Sequence, residues 1–211
     1  MILFISGTGT NIGKTTIAMR LNAILMQRGF HIISLKPIET GVDEIPQDAL
    51  LHARNQSKSK EVSEVCFYTF NLPASPFVAD SSDIIDIKSL KYRIKELEEN
   101  CDILVIEGAG GLFVPIKRDY FFIDLIKDLK AFCLLVSNDK LGCINDILVH
   151  NEALKSRRIP FINIINLFNK IDFFKTSYPF LKHTQNIFVF QTQENELVEF
   201  LIHKILKSIV R

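Results

Sequence analysis

The most constraining feature lies at the start of the chain, where an apolar run meets a glycine-rich turn and a helix follows. Ile2-Leu3-Phe4-Ile5 reads as a buried strand. Gly7-Thr8-Gly9-Thr10-Asn11-Ile12-Gly13-Lys14-Thr15 is the loop, and a helix runs to about Arg28. Ile17, Ala18, Leu21, Ile24 and Leu25 fall on one face of that helix, with Gly29 at its stop. Strand, glycine loop, Lys-Thr and helix together form a phosphate loop. Gly7 and Gly13 are expected to supply backbone angles that other residues resist, so that successive N–H groups turn inward on phosphate oxygens. The helix N-terminus adds partial positive charge, Lys14 reaches the outer phosphates, and the Thr15 hydroxyl suits Mg²⁺. The loop is one residue longer than G-x-x-x-x-G-K-[ST], because Thr8 stands where that pattern needs glycine.

Further apolar runs alternate with helix-period segments. Strands are expected at Ile32–Leu35, Ile103–Ile106, Phe132–Val136, Phe161–Ile165 and, briefly, Ile187–Phe190. Helices are expected at Asp48–Arg54, Leu90–Glu99, Ile123–Leu129 and about Glu194–Val210. This alternation predicts an α/β fold, P-loop NTPase-like and doubly wound, with a mostly parallel sheet and helices on both faces. At 211 residues, with no linker or repeat, the chain is read as a single domain spanning 1–211. Residues 55 to 82 are the least regular part, and the prolines of Asn71-Leu72-Pro73-Ala74-Ser75-Pro76 favour an extended or turning path.

Lysine and arginine number 25 against 24 acidic residues, so the net charge is +1 and no cationic excess speaks for nucleic acid. No apolar run approaches the ~18 residues that a membrane span requires. Met1 leads directly into the first strand, so a cytoplasmic location is expected. The four cysteines have neither disulfide-framework nor zinc-ligand spacing.

Further positions add chemistry, two of them at strand ends. Glu107 terminates Ile103-Leu104-Val105-Ile106 and precedes Gly108-Ala109-Gly110-Gly111. A carboxylate there is costly unless a cation meets it, and the glycines leave room for a bulky phosphate. Lys36, held extended by Pro37, ends the second strand where α/β sheets bind ligands, although a strand-end lysine is by itself often only solvated. Asp48 opens a short helix and on physics alone reads as an N-cap. Asn138-Asp139-Lys140-Leu141-Gly142-Cys143-Ile144-Asn145 joins a strand to a helix, either as a plain turn or as a carboxylate-binding helix start.

Taken together, these segments resemble the dethiobiotin synthetases. The likeness rests on the loop at 7–15, Leu35-Lys36-Pro37-Ile38-Glu39-Thr40-Gly41, Asp48-Ala49-Leu50, Ala74-Ser75-Pro76, Glu107-Gly108-Ala109-Gly110-Gly111 and Lys140-Leu141-Gly142-Cys143-Ile144-Asn145. It runs in order over about residues 1–150. The resemblance implies an ATP- and Mg²⁺-dependent homodimeric ligase that takes 7,8-diaminononanoate, CO₂ or bicarbonate, and ATP. By resemblance the catalytic cations are Lys36 and Lys14. The nucleotide falls to Asn11, Ile12, Gly13, Lys14, Thr15, Thr16, Asp48, Glu107, Gly108, Ala109 and Gly110, with Leu167 and Phe168 at the base-contact positions. The same likeness gives Mg²⁺ to Thr15, Asp48 and Glu107, and substrate to Thr10, Lys36, Thr40, Gly142, Cys143 and Asn145. Where the family often has an acidic residue this chain has Asn11, and Phe77 replaces a histidine.

The competing reading is a partitioning or division-site ATPase of the same fold. Such proteins carry a lysine five positions before the loop lysine, where this chain has Gly9. Their membrane-facing C-terminal helix invites comparison with Leu197, Val198, Leu201, Ile202, Ile205 and Leu206 here, although a doubly wound sheet equally needs such a helix as cover.

Overall fold

The computed structural model describes residues 1–168, 170–184 and 186–209. Val210, where the closing helix was expected to end, and Arg211 lie outside them. The first half of the chain contains β1 (Ile2–Gly7), α1 (Lys14–Gln27), β2 (Ile32–Leu35), β3 (Ile38–Thr40), α2 (Gln47–Arg54), α3 (Val62–Val65), β4 (Tyr68–Phe70), α4 (Pro76–Ala79), α5 (Ile87–Glu98) and β5 (Ile103–Glu107). The second half contains β6 (Pro115–Lys117), β7 (Tyr120–Phe121), α6 (Phe122–Asp128), β8 (Phe132–Asn138), α7 (Cys143–Ser156), β9 (Phe161–Asn166), α8 (Lys170–Thr176), α9 (Tyr178–Leu181), β10 (Ile187–Val189) and α10 (Phe190–Ile209).

Among the described residues the main sheet is β10-β9-β8-β1-β5-β2, and every pairing in it is parallel. Alternation along β1 divides the core in two. Ile2 and Phe4 pack with Leu90, Ile94, Phe122 and Ile126 of α5 and α6, whereas Leu3 and Ile5 pack with Ile17, Leu21 and Leu25 of α1. Leu197, Val198, Leu201 and Ile205 of α10 are fully buried in the second layer. These four residues of the closing helix's stripe cover the sheet, Ile202 is partly buried against the same layer, and Leu206 is exposed.

From β1 the chain passes to the edge strand β2, returns to β5 beside β1, and then runs outward through β8, β9 and β10 on the other side. Ligands of open α/β sheets bind at such a reversal, beyond the carboxyl ends of the strands. Register sets the level of the functional groups. Ile5 pairs with Glu107 and Leu35 with Ile106, so the start of the loop, Glu107 and Lys36 leave the sheet side by side.

Several boundaries differ from the sequence reading. Helix α5 begins at Ile87 because the Asp86 carboxylate accepts the Ser89 N–H at 2.5 Å and caps it. Phe190 belongs to α10, and the non-helical Gln193 (φ −130°) separates it from the run expected at Glu194. The stretch 55–82 is more ordered than expected: β4 pairs in parallel with β3, and Pro76 opens α4 from the first helical turn, where a missing N–H costs nothing.

Candidate active site

A cavity of about 880 Å³ opens at the carboxyl ends of β1, β2 and β5. The phosphate loop forms one wall. Asn11 (φ 56°) and Gly13 (φ 85°) are both left-handed, a conformation that glycine tolerates and asparagine tolerates better than most residues. Gly7 is present for a different reason from the one expected. It lies in β1 without a positive φ, and a Cβ there would overlap the Ile12 side chain and crowd the Gly9 carbonyl. The loop is anchored from behind by Asn166, whose Nδ2 donates to the Ile12 carbonyl at 2.9 Å and whose Oδ1 accepts from Gln191 Nε2 at 2.7 Å.

The floor of the cavity is ionic. Lys36 Nζ lies 2.6 Å from Glu107 Oε1 and 2.9 Å from Asp48 Oδ2. The Thr15 hydroxyl is 3.0 Å from Glu107 Oε1 and 3.1 Å from Asp48 Oδ1. Asp48 is not an N-cap. It sits in the first turn of α2, its own N–H and that of Ala49 are taken by the Glu39 carboxylate, and its side chain is free to face the loop. Burial resists ionisation of Glu107, but the Lys36 ammonium and the His52 hydrogen bond outweigh it and hold the carboxyl down to about 2. Burial likewise disfavours the charge on Lys36, yet Glu107 and Asp48 raise its pKa. For Lys14 the same two carboxylates, Glu107 and Asp48, compensate only in part. Burial, together with repulsion from Lys36, lowers it to about 8, and its Nζ donates to the Gly9 carbonyl at 3.0 Å.

Most of the expected site residues meet in this cavity: Thr10, Asn11, Ile12, Gly13, Lys14, Thr15, Thr16, Lys36, Thr40, Asp48, Glu107, Ala109, Gly110 and Phe168 line it. Others do not. Gly108 lies behind the wall, where a Cβ would meet Phe4 at 2.9 Å, and only its carbonyl, 3.5 Å from Lys36 Nζ, faces the site. Leu167 packs against the cluster of Cys143, Ile165 and Phe173 instead of facing a base. Gly142, Cys143 and Asn145 lie outside the cavity of a single chain. Cys143 is buried and its N–H is bonded to the Lys140 carbonyl, while Asn145 reaches only Asp146.

Sequence reasoning passed over His52, a lone polar residue without a spacing signature, and it gave no role to Glu39, although that residue lies within the Leu35–Gly41 segment; Asn166, near the place of the family's base-contact asparagine, instead holds the loop. The prolines flanking Ala74 and Ser75 also line the cavity, and Ala74-Ser75-Pro76 was the signal that could have placed that segment there.

Thr15, Asp48 and Glu107 are too few protein oxygens for a closed cage, and among the described residues no three His, Cys, Asp or Glu side chains are grouped so that they could hold a metal ion by themselves. They do fit Mg²⁺, which keeps several waters and shares its remaining positions with phosphate oxygens. Parallel sheet, phosphate loop and strand-tip carboxylate define a P-loop nucleotide-binding protein built for phosphoryl transfer.

A family model described as an AAA domain matches residues 2–189. The ATP-dependent dethiobiotin synthetase of Sulfurovum sp. (strain NBC37-1) is 45% identical, covering 84% of this chain and 88% of that protein. That of Wolinella succinogenes is 38% identical over 96% of this chain and 99% of its own length. The chain belongs to the ATP-dependent dethiobiotin synthetase family. Among solved structures, a plasmid partition protein from Borrelia burgdorferi superposes with TM-score 0.58 at 13% identity, covering 96% of this chain and 98% of that one. The cell-division protein MinD of Aquifex aeolicus gives 0.52 at 15% identity, over 93% and 85%. At such identities the likeness is one of fold alone.

Proposed function

We propose that residues 1–211 form one ligase domain that closes a urea ring, converting 7,8-diaminononanoate, CO₂ and ATP into dethiobiotin, ADP and phosphate. Membership of the synthetase family supports this reading. The observation that carries it at the level of residues is the buried Lys36 ammonium, 2.6 and 2.9 Å from two carboxylates and facing a phosphate loop.

One amine of the diamine takes up CO₂ and loses a proton, giving a carbamate. A carbamate oxygen then attacks the γ-phosphorus, and the bond to the β-bridging oxygen breaks, releasing ADP. Both reactants are anionic, so cations must hold them in line. In this reading Lys14 holds the β- and γ-phosphates, and Lys36 bridges the carbamate and the transferring group. The inward N–H groups of 11–16 cradle the triphosphate, and Thr10 and Thr40 hydrogen-bond the carbamate end. The second amine attacks the carbonyl carbon of the mixed anhydride, phosphate leaves with the C–O electrons, and the amine loses its proton. Thr15, Asp48 and Glu107 would hold Mg²⁺, which supplies charge neutralisation on the phosphate oxygens.

In this reading, by family resemblance, the tail carboxylate of the substrate goes to the helix start at Gly142, Cys143 and Asn145 of a second copy; the Cys143 N–H, bonded to the Lys140 carbonyl, is not among the donors. A homodimer is thus part of the proposal, and neither a nucleic acid nor a membrane is. With Leu167 packed into its own cluster, Phe168 is the residue of the two available to stack on the base.

Incubation with 7,8-diaminononanoate, bicarbonate and ATP tests the reading by mass spectrometry. Dethiobiotin and ADP should accumulate together. ATP hydrolysis indifferent to the diamine would instead favour an ATPase of the partitioning type.

A further inference from the structure

His52 is fully buried on α2, one turn beyond Asp48 and on the same helical face. Its Nε2 lies 2.9 Å from Glu107 Oε2, while Glu107 Oε1 turns to Thr15 and Lys36 in the cavity. Its Nδ1 lies 2.7 Å from Ser34 Oγ, which accepts from Asn22 Nδ2 at 2.8 Å. The Asn22 amide is oriented by a second bond from Nδ2 to the Asn55 carbonyl, also 2.8 Å. Donors can then be counted along the relay. Glu107 is an ionised carboxylate that can only accept, so the ring proton sits on Nε2 and is donated to it, and Nδ1 accepts the Ser34 hydroxyl proton.

We propose that His52 is a positioning residue: the relay Asn22–Ser34–His52 clamps one oxygen of Glu107 so that the other is presented, at fixed angle, to the cation of the metal–nucleotide complex. Helix α2 thereby carries both the second carboxylate, Asp48, and the ring that aims the first. Nothing at position 52 touches the cavity, so the effect is transmitted through Glu107 alone. Outer partners of metal-binding carboxylates commonly change metal affinity about 10- to 100-fold when removed.

This inference rests on the assignment of Glu107 as a metal ligand, and the test separates the two. Mn²⁺ binding at saturating non-hydrolysable ATP analogue is followed by electron paramagnetic resonance in wild type, Glu107→Gln, His52→Leu and His52→Gln. The glutamine amide can reproduce the Nε2 donor. His52→Leu should weaken Mn²⁺ about 10- to 100-fold while analogue binding in chelator stays near wild type. His52→Gln should recover most of the loss, which a merely space-filling role would not produce. If Glu107→Gln abolishes Mn²⁺ binding and His52→Leu retains it, the clamp is wrong and the site reading stands. If Glu107→Gln binds Mn²⁺ normally, both fall. Nitrogen NMR of the wild-type ring needs no variant to fold: an Nε2–H tautomer agrees with the relay, and an Nδ1–H tautomer overturns it.

Discussion

At the scale of single residues, the site is governed by the imbalance of charge around two buried lysines. Lys36 has two carboxylates within 2.9 Å, whereas Lys14 has a carbonyl and a repelling neighbour. Replacing Lys36 by alanine should abolish turnover and leave nucleotide binding largely intact, as measured by ADP release and calorimetric titration. It also strands two carboxylates without their cation, a loss of about 3–5 kcal/mol in metal-free protein. Added Mg²⁺ should restore part of that loss, visible as a larger Mg²⁺-induced rise in Tm than in wild type. Lys14 sets a pH dependence. Its pKa near 8 means the ammonium is fully present below pH 8 and is lost above it, while an unfolded lysine keeps its proton to about 10.5. The cost of burying that charge is therefore fully felt below pH 8 and relieved between 8 and 10.5, so the protein without added nucleotide gains stability there. Triphosphate binding demands the charged form. Nucleotide affinity should fall by up to about tenfold per pH unit above 8, with proton uptake on binding, measurable by titration in buffers of different ionisation enthalpy.

At the scale of elements, α2 and α5 are capped in opposite ways, one by a group from elsewhere in the chain and the other by its own neighbour. Helix α2 has its first N–H groups taken by Glu39 from β3, which turns Asp48 towards Thr15. Helix α5, on the far side, is capped locally by Asp86. Asp86→Ala should cost about 1 kcal/mol of stability in denaturant unfolding and leave turnover unchanged. The same contrast explains what could be read in advance. The strand–loop–helix unit at 2–28 and the strand ending in Glu107 are written in contiguous residues. The three-residue strands β3 and β4 are too short for any periodicity, and they exist because each pairs with the other.

At the scale of the whole molecule, the reversal of strand order around β1 assembles the cavity, but a single chain leaves the 142–145 turn outside it. Leu141, 92% exposed beside that turn, is an apolar side chain with nothing over it in one copy. If the dimer covers it, sedimentation should show a dimer that Leu141→Glu converts to monomer. The KM for the diamine should then rise while the KM for ATP stays unchanged. A Leu141→Glu protein that remains dimeric with an unaltered diamine KM would remove the second copy from the substrate site.

The amino-acid order alone determined the parallel α/β architecture, the phosphate loop and the strand-end placement of Lys36 and Glu107, because each depends on periodicity or spacing within a few consecutive residues. Tertiary structure alone decided that Glu39 caps α2 and so turns Asp48 to the loop, that Asn166 anchors Ile12 from 154 residues away, and that His52 meets Glu107 across 55. Those contacts arise from strand register and helix placement. A hydrogen bond formed within 3 Å between distant segments leaves no pattern in the chain that makes it.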